Sequence, residues 1–487
     1  MLKDIHTIFI VGIKGVGMAN LAIILSQMGK HVSGSDTSHE FITDKELIRQ
    51  KITVIHSFEP DTLPSSTELV VYSAAHGGNE NPQVQEAKKR GIRVLHQAEL
   101  LQEIAKLHHT SIAVCGCHGK TTTTSMLAQL LDLTESPVSY FIGTSSIGDK
   151  PAGQYGLSGS FVYEADEYGM DPPRDTTPKF LFYSPDYILC TNIDYDHPDI
   201  YKSKEEVKRA FVTFFKKIQE KKYAQRKIFL CADDPLSMQA AEELDSEVYL
   251  TYGFAREAHI RIEDFTTDTD YSQFRLIFNH LSRGGFDIDF GLFKVPLFGK
   301  KIIGNVAGAI ALLLNWDYSV VDIQKKLETF KGPKRRFEFI KKMDDVYIFD
   351  DYAHHPQEIE ATLDAARLRF KNRDILIIFQ PHTYSRTAAL EEEFIAALAK
   401  ADHTFLLPIF PSARENKEMF AISSEDLVQK AHTKGIVNIT YIPSPEELSQ
   451  YMAPYIKDNS VIMTMGAGDV YKVAPMITKH VRHSGEE

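Results

Sequence analysis

Cysteine is scarce in this chain: there are four among 487 residues, and tryptophan occurs once. Cys115, Cys117, Cys190 and Cys231 form no C-x-x-C pair. That excludes a disulfide framework or thiolate knuckle as the organising feature and suits a reducing compartment. No stretch approaches the ~20 apolar residues needed to cross a bilayer. The opening residues Met1 to His6 run straight into an apolar strand, without a signal-peptide h-region or cleavage site. A cytoplasmic protein without membrane partners is therefore expected. Basic charge is also in deficit, with a formal net charge of -12. A nucleic-acid binder would show a basic balance or face, so no nucleic-acid partner is expected. An anionic small molecule remains compatible, because a few backbone amides and one lysine can hold it.

What is present is ordinary globular material, 43% hydrophobic and 25% charged. The length implies about three domains of ~150 residues. Apolar runs of four or five residues alternate with helical periodicity. Ile8–Val11, Lys30–Asp36 and Leu69–Tyr72 read as strands, with helices over Met18–Met28 and Pro82–Arg90. A second series has strands at Ser111–Cys115, Phe161–Glu164, Tyr187–Cys190 and Lys227–Leu230, with helices over Thr121–Leu131 and Lys204–Lys217. From Ala258 to Val295 short alternating segments predict antiparallel hairpins, with turns such as Ser282-Arg283-Gly284-Gly285. A helix over Ile303–Asn315 and the basic run Lys331–Arg336 lead to a third series. Its strands are Val346–Phe349, Ile375–Ile378, Thr404–Leu407 and Val461–Thr464. The expected fold is three consecutive α/β domains. They are a Rossmann-like N-terminal domain (1–106), a central P-loop ATPase-like domain with antiparallel hairpins (107–331) and a Rossmann-like C-terminal domain (332–487).

The strongest local signal is Gly116-Cys117-His118-Gly119-Lys120-Thr121-Thr122, between a strand and a helix. Turn amides and a helix N-terminus suit phosphate, Lys120 supplies a positive charge, and Thr121 offers a hydroxyl to Mg²⁺. Val114 stands where G-x-x-x-x-G-K-[ST] spacing requires glycine. Gly12-Ile13-Lys14-Gly15-Val16-Gly17 is a G-x-x-G-x-G turn and not the dinucleotide fingerprint. It suits either an anion or simple closure of a strand–helix connection, with Asp36 ending the next strand. Glu164-Ala165-Asp166-Glu167 and Thr191 to His197 end strands of the central series, where carboxylates and an imidazole can surround a metal. The run Asp350 to Pro356 has adjacent histidines, which is poor zinc spacing and better suited to a polar substrate. Arg386, after Gln380-Pro381-His382, suits a carboxylate. Asp268-Thr269-Asp270 lacks the glycine and closing glutamate of a calcium loop and reads as a hairpin turn.

Taken in order, these segments resemble the Mur ligase family, the amino-acid-adding enzymes of peptidoglycan synthesis. The resemblance also includes Asp233-Asp234-Pro235, Gly299 to Asn305, Arg335-Arg336-Phe337-Glu338 and Gly466-Ala467-Gly468-Asp469. It is closest to the member that joins L-alanine to UDP-N-acetylmuramate, on Gly34-Ser35-Asp36, Ser73-Ala74-Ala75, His118, Asp351 to Pro356 and Phe379 to Thr387. Glu164 to Tyr168 and the insert through Asp175, Lys179 and Phe180 lean towards the alternative, a recycling member that adds a whole tripeptide. Three positions depart from the family pattern: Cys117 in the phosphate loop, Ile302 beside Lys300-Lys301, and Thr383 after Gln380-Pro381-His382.

The resemblance implies ATP and Mg²⁺ as cofactors and an acyl phosphate on the lactyl carboxylate. It implies catalytic roles for Lys120, His197, His354 and Arg386. It assigns ATP to Gly116, His118, Gly119, Lys120, Thr121, Thr122, Asn305, Arg336 and Asp351. The sugar nucleotide and amino acid fall to Gly12, Gly15, Gly17, Asp36, Ser73, His118, Tyr352, His354 and Arg386, and the metal to Thr121, Glu164 and His197. The implied partners are UDP-N-acetylmuramate, L-alanine and ATP, and the chain is expected to act as a monomer or homodimer.

Overall fold

The computed structural model describes residues 2–132, 136–221, 227–279, 286–411 and 420–480. The chain divides into two compact units. One comprises Met1–Phe265, Gln273–Pro296 and Gly304–Pro333; the other comprises Thr266–Ser272, Leu297–Ile303 and Lys334–Glu487. The basic run 331–336 straddles the boundary between the units at Pro333.

The first unit opens with a five-stranded sheet in the order Thr53–Ile55, His31–Ser35, Thr7–Val11, Leu69–Tyr72, Arg93–His96, every pair parallel. Its middle strand is apolar on both faces, as a covered parallel sheet requires. Ile8 and Ile10 join one buried cluster, whereas Phe9 and Val11 join another. The chain fills one side of Thr7–Val11 before crossing to the other. The crevice where strand order reverses therefore lies between the ends of Thr7–Val11 and Leu69–Tyr72.

A ten-stranded sheet follows, with Thr110–Cys115 near its centre between Tyr187–Cys190 and Ser160–Glu164. Those three strands are mutually parallel, so Cys115, Cys190 and Glu164 bring their following loops to one edge. The strands after Ala258 continue the ten-stranded sheet in the order Tyr249–Gly253, Ile260–Thr267, Ser272–Phe278, Ile288–Val295. Ile260–Thr267 runs parallel to Tyr249–Gly253, through Tyr252↔Ile260 and Gly253↔Arg261, because a short loop carries the chain back to the same sheet edge. The turn at Asp268 is closed by its own carboxylate, which accepts the Asp270 and Tyr271 N–H groups at 2.8 Å each. The turn Ser282-Arg283-Gly284-Gly285 lies outside the described residues.

Helix Val16–Gln27 packs onto strands Ser139–Ile147 and Lys150–Gln154 of the ten-stranded sheet. Asn20, almost completely buried, donates from Nδ2 to the carbonyls of Ile142 (2.8 Å) and Thr144 (2.9 Å). Gly153 permits the approach, since a Cβ there would overlap the Asn20 carbonyl oxygen.

The second unit holds a six-stranded sheet in the order Glu338–Met343, Val346–Asp351, Ser460–Met465, Asp374–Phe379, His403–Leu406, Ile439–Tyr441. Only the first pair is antiparallel. Side chains alternate between two cores: Ile375, Ile377 and Phe379 face one, Leu376 and Ile378 the other. Helix Pro356–Arg369 starts on a capping box between His355 and Glu358, with proline in its first turn. Among the described residues, no helix is long and apolar enough to cross a membrane.

Candidate functional site

The phosphate loop is built as its residues require. Gly116 and Gly119 adopt φ of +127° and +83°, and helix Lys120–Leu131 starts at once. A Cβ on Gly119 would lie 2.5 Å from Nδ2 of Asn305, which places that buried asparagine directly on the loop. The loop is braced by the segment after Tyr187–Cys190. The Thr191 hydroxyl and Asn192 Nδ2 donate to the His118 carbonyl at 2.6 and 2.8 Å, and the His118 N–H donates to Asn192 Oδ1. His118 Nε2 lies 3.4 Å from the Asp194 carboxylate. Cys117 donates through Sγ to the Asp194 carbonyl and accepts the Asp194 N–H, each at 3.1 Å. Burial pushes the Cys117 thiol well above its ordinary range, so it stays neutral.

Lys120 folds back over this loop. Its ammonium donates to the Gly116 carbonyl at 2.6 Å and to both Glu167 oxygens at 2.9 and 2.7 Å. Burial alone would lower its pKa, but the charges of Glu167 and Asp166 outweigh that and raise it. Glu167 also faces His197, with Nε2 at 3.5 Å, and Asp196 stands 3.7 Å from the same ring. The ligand atoms of Glu167, Asp196 and His197 lie within 4.8 Å of one another, a spacing one cation can bridge. His197 reaches this position from a left-handed backbone (φ +58°) and packs edge-on against Tyr168 at 4.8 Å.

Thr121 lies buried in the helix's first turn. Glu164 accepts the Gly143 N–H at 2.6 Å. The structure therefore gathers Glu167 and Asp196 around His197. Both runs are expected at a metal, but the sequence singles out Glu164 and His197 from them and not Glu167 or Asp196, because a strand's two-residue period says nothing about side-chain direction in the loop beyond it.

At the first sheet, Gly12 takes φ +74°, and its N–H and that of Ile13 donate to the Ser35 carbonyl. Gly15 caps helix Val16–Gln27, and Gly17 lies against Gln97 and Phe141. Asp36 is buried. It accepts the Lys14 N–H at 2.8 Å and the Thr37 N–H at 2.7 Å, so it shapes the glycine turn. Ser73 begins the loop after Leu69–Tyr72 and accepts the Ala75 N–H. The same loop carries His76, which the sequence did not single out. Its Nε2 is 3.6 Å from Asp36, its ring stacks on Phe58 at 4.6 Å, and a Cβ on Gly12 would meet it at 3.1 Å. The glycine turn and the His76 loop thus rim the crevice at the reversal of strand order.

In the second unit, Asp351 accepts the N–H groups of Phe337 and Ala353, each at 2.7 Å. Burial pushes its pKa up to about 6, against the opposing charge of Arg336. Arg336 lies over the Tyr352 ring at 5.0 Å and 3.9 Å from Glu358. Arg335 bonds Asp350 and the Gly466 and Gly468 carbonyls. His354 directs Nδ1 at the Tyr352 carbonyl (3.0 Å) and Glu358 (3.2 Å), and its ring stands 6.2 Å from His382. Arg386 is buried on the short helix Tyr384–Ala389. Asp351 ends, and His354 and Arg386 follow, the parallel strands Val346–Asp351 and Asp374–Phe379, at the sheet edge where α/β folds bind ligands.

Three family descriptions match the chain in succession: the Mur ligase family catalytic domain over residues 7–109, the Mur ligase middle domain over 114–313, and the Mur ligase glutamate ligase domain over 335–468. The UDP-N-acetylmuramate–L-alanine ligase of Limosilactobacillus reuteri is 36% identical over 467 residues, covering 96% of this chain and 97% of that one. The corresponding ligase of Lactobacillus acidophilus is 35% identical over 472 residues, covering 97% and 98%. Among solved structures, UDP-N-acetylmuramate-alanine ligase from Thermotoga maritima superposes with a TM-score of 0.76 at 22% identity, covering 98% of this chain and 99% of that one. A murein peptide ligase from Psychrobacter arcticus gives 0.71 at 23% identity over the same shares. At that identity both show a shared fold. With relatives above one-third identity along nearly its whole length and all three domain matches in order, the chain belongs to the Mur ligase family.

Proposed function

We propose that this protein joins L-alanine to the lactyl carboxylate of UDP-N-acetylmuramate at the expense of ATP. Two supports meet here: its relatives above one-third identity carry that activity in their names, and the phosphate loop stands beside a carboxylate–histidine cluster. A carboxylate oxygen attacks the γ-phosphorus, the bond to the β-bridging oxygen breaks, and ADP leaves. The neutral amine of L-alanine then attacks the acyl carbon, and phosphate and a proton depart. Lys120, the loop amides and the start of helix Lys120–Leu131 would hold the phosphates and counter their growing charge.

The donor set of Glu167, Asp196 and His197 fits a hard divalent cation such as Mg²⁺, with Thr121 as a further oxygen. Bound there, the cation would supply charge neutralisation between nucleotide phosphates. Asn305, against Gly119, suits a contact to the nucleotide base. The crevice between the glycine turn and the His76 loop suits the UDP end of the sugar nucleotide. In the second unit, His354 and Arg386 suit the amino-acid carboxylate.

The test is phosphate release with ATP and UDP-N-acetylmuramate, in the presence of either L-alanine or L-alanyl-γ-D-glutamyl-meso-diaminopimelate. L-alanine should support the faster rate. Faster release with the tripeptide would assign the chain to recycling, and release independent of any amine would overturn ligation.

A further inference from the structure

The insert after Glu167 forms a hairpin of Gly169–Asp171 with Asp175–Pro178. Its base is fastened to the catalytic cluster. The Phe180 and Lys179 N–H groups donate to the Asp166 and Tyr168 carbonyls at 3.0 Å, and the Lys179 ammonium bonds Asp166 at 2.7 Å. Tyr168 packs on His197 and donates its hydroxyl to Asp199 at 2.9 Å. The hairpin's other residues reach the first sheet. Arg174 grips Asp171 at 2.9 and 2.7 Å and donates from Nη2 to the Gly77 carbonyl at 2.8 Å. Asp171 accepts the Asn79 N–H at 3.3 Å.

Between those two contacts sits Gly78, buried at φ +57°. A Cβ there would overlap the Asp171 carboxylate and come within 2.6 Å of Arg174 Nη2. Asn81 ties the loop back through Nδ2 to the His76 carbonyl at 2.9 Å. His76 in turn faces Gly12 and Asp36. A continuous series of contacts therefore runs from Glu167 and His197, along the hairpin, to the rim of the glycine-turn crevice.

We propose that Asp171 and Arg174 are positioning residues for the sugar nucleotide, setting the loop that carries Ser73 and His76 against the glycine turn. The inference rests on the reading of that crevice as the UDP-sugar site. It explains why an exposed arginine spends two of its donors on a buried carboxylate and a third contact on a neighbouring loop carbonyl. A free surface ion pair would contribute little. A pair that fixes a binding loop acts through the ordering cost of the ligand complex.

The experiment compares the parent with Arg174→Ala and with the double exchange Asp171→Arg/Arg174→Asp. Measurements are calorimetric binding of UDP-N-acetylmuramate, the KM for each substrate, and thermal unfolding. Arg174→Ala should weaken sugar-nucleotide binding about tenfold and raise its KM alike, from the loss of the bond to the Gly77 carbonyl and of the two bonds that hold Asp171 beside the loop. Its kcat and its KM for ATP should stay within about twofold of the parent. The double exchange restores an ion pair inside the hairpin but not the bonds to Gly77 and Asn79, so binding should stay weak.

Recovery in the double exchange would show that only hairpin stability matters and would overturn the proposal. So would unchanged sugar-nucleotide binding in Arg174→Ala, or equal losses for both substrates. If Arg174→Ala does not fold, Gly78→Ala displaces the loop from the opposite side and must weaken the same substrate selectively. A parent protein that binds no UDP-N-acetylmuramate would sink the functional reading and this inference with it. Binding that is normal in the parent and in both variants would sink the inference alone.

Discussion

Lys120 and Glu167 form an ion pair of 2.7 Å in which the carboxylate is almost completely buried. Glu167 also contacts His197, so one carboxylate joins the phosphate loop to the metal-competent cluster. Removing Lys120 leaves that charge without its strongest partner. Lys120→Ala should abolish phosphate release and reduce stability by about 3 kcal/mol, as breaking a buried pair does. The double variant with Glu167→Ala should be less destabilised than the sum of the singles, because no stranded charge remains. Urea unfolding of the four proteins measures this coupling. Additive effects would contradict a pair that acts as a unit.

Gly119 and Asn305 make a second close relationship, in which the glycine has both a left-handed backbone and no room for a side chain. Gly119→Ala must strain φ +83° by roughly 1–2 kcal/mol and push Asn305 away. The KM for ATP should rise by about tenfold or more, while calorimetric binding of UDP-N-acetylmuramate remains near the parent value. An unaltered KM for ATP would separate Asn305 from the nucleotide.

His96 and Asp351 should make the two units respond oppositely to acid. Burial first, then Lys179, lowers His96 from 6.5 to about 4. The unfolded chain takes up that proton near 6.5 and the folded one near 4, so this contribution is lost as pH falls through the window. Burial raises Asp351 from 3.8 to about 6. Here the folded state holds the proton more tightly, so the contribution is complete below about 4 and lost as pH rises through 6. Each full shift corresponds to about 3 kcal/mol at most. Hydrogen exchange between pH 7 and pH 5 should show strand Arg93–His96 losing protection and strand Val346–Asp351 gaining it. His96→Asn, which keeps the helix cap, and Asp351→Asn should each flatten the slope of its own unit. Parallel responses in both units would refute the assignment.

The sheets were legible because each buried strand is a short apolar run closed by glycine or a polar turn, as at Ile8–Val11 and Ser111–Cys115. The phosphate loop was legible for the same reason: its glycines and lysine act through backbone geometry that sequence order encodes. Which carboxylate of Glu164-Ala165-Asp166-Glu167 would meet His197 was not. Glu164 ends the strand and accepts the Gly143 N–H, whereas Glu167 lies beyond it, where the chain turns, and meets His197. His76 was invisible for a related reason. It belongs to no motif, and its importance comes from a left-handed backbone and a neighbour, Gly12, sixty-four residues earlier. The hairpin 169–178 could be seen only as an insert, since its meaning lies in contacts to a loop 92 to 97 residues earlier.

Asn20 tests how far the fold of the first unit depends on one polar side chain. It is held between helix Val16–Gln27 and strand Ser139–Ile147, and its amide satisfies two carbonyls with no water needed. Asn20→Leu fills a similar volume but strands both acceptors, at about 1–3 kcal/mol for each buried unsatisfied group. Gly153→Ala acts on the same helix from the neighbouring strand Lys150–Gln154, because its Cβ would overlap the Asn20 backbone carbonyl, and overpacking costs about 1–3 kcal/mol. Since both loosen the same helix at Asn20, their combination should be less destabilising than their sum. The helix they displace begins at the glycine turn, so sugar-nucleotide binding should weaken with stability in all three variants. Thermal unfolding and calorimetry on the same samples would show whether the losses move together. Full stability in Asn20→Leu would mean that the apolar packing around Phe141 and Ile23 fixes the helix on its own.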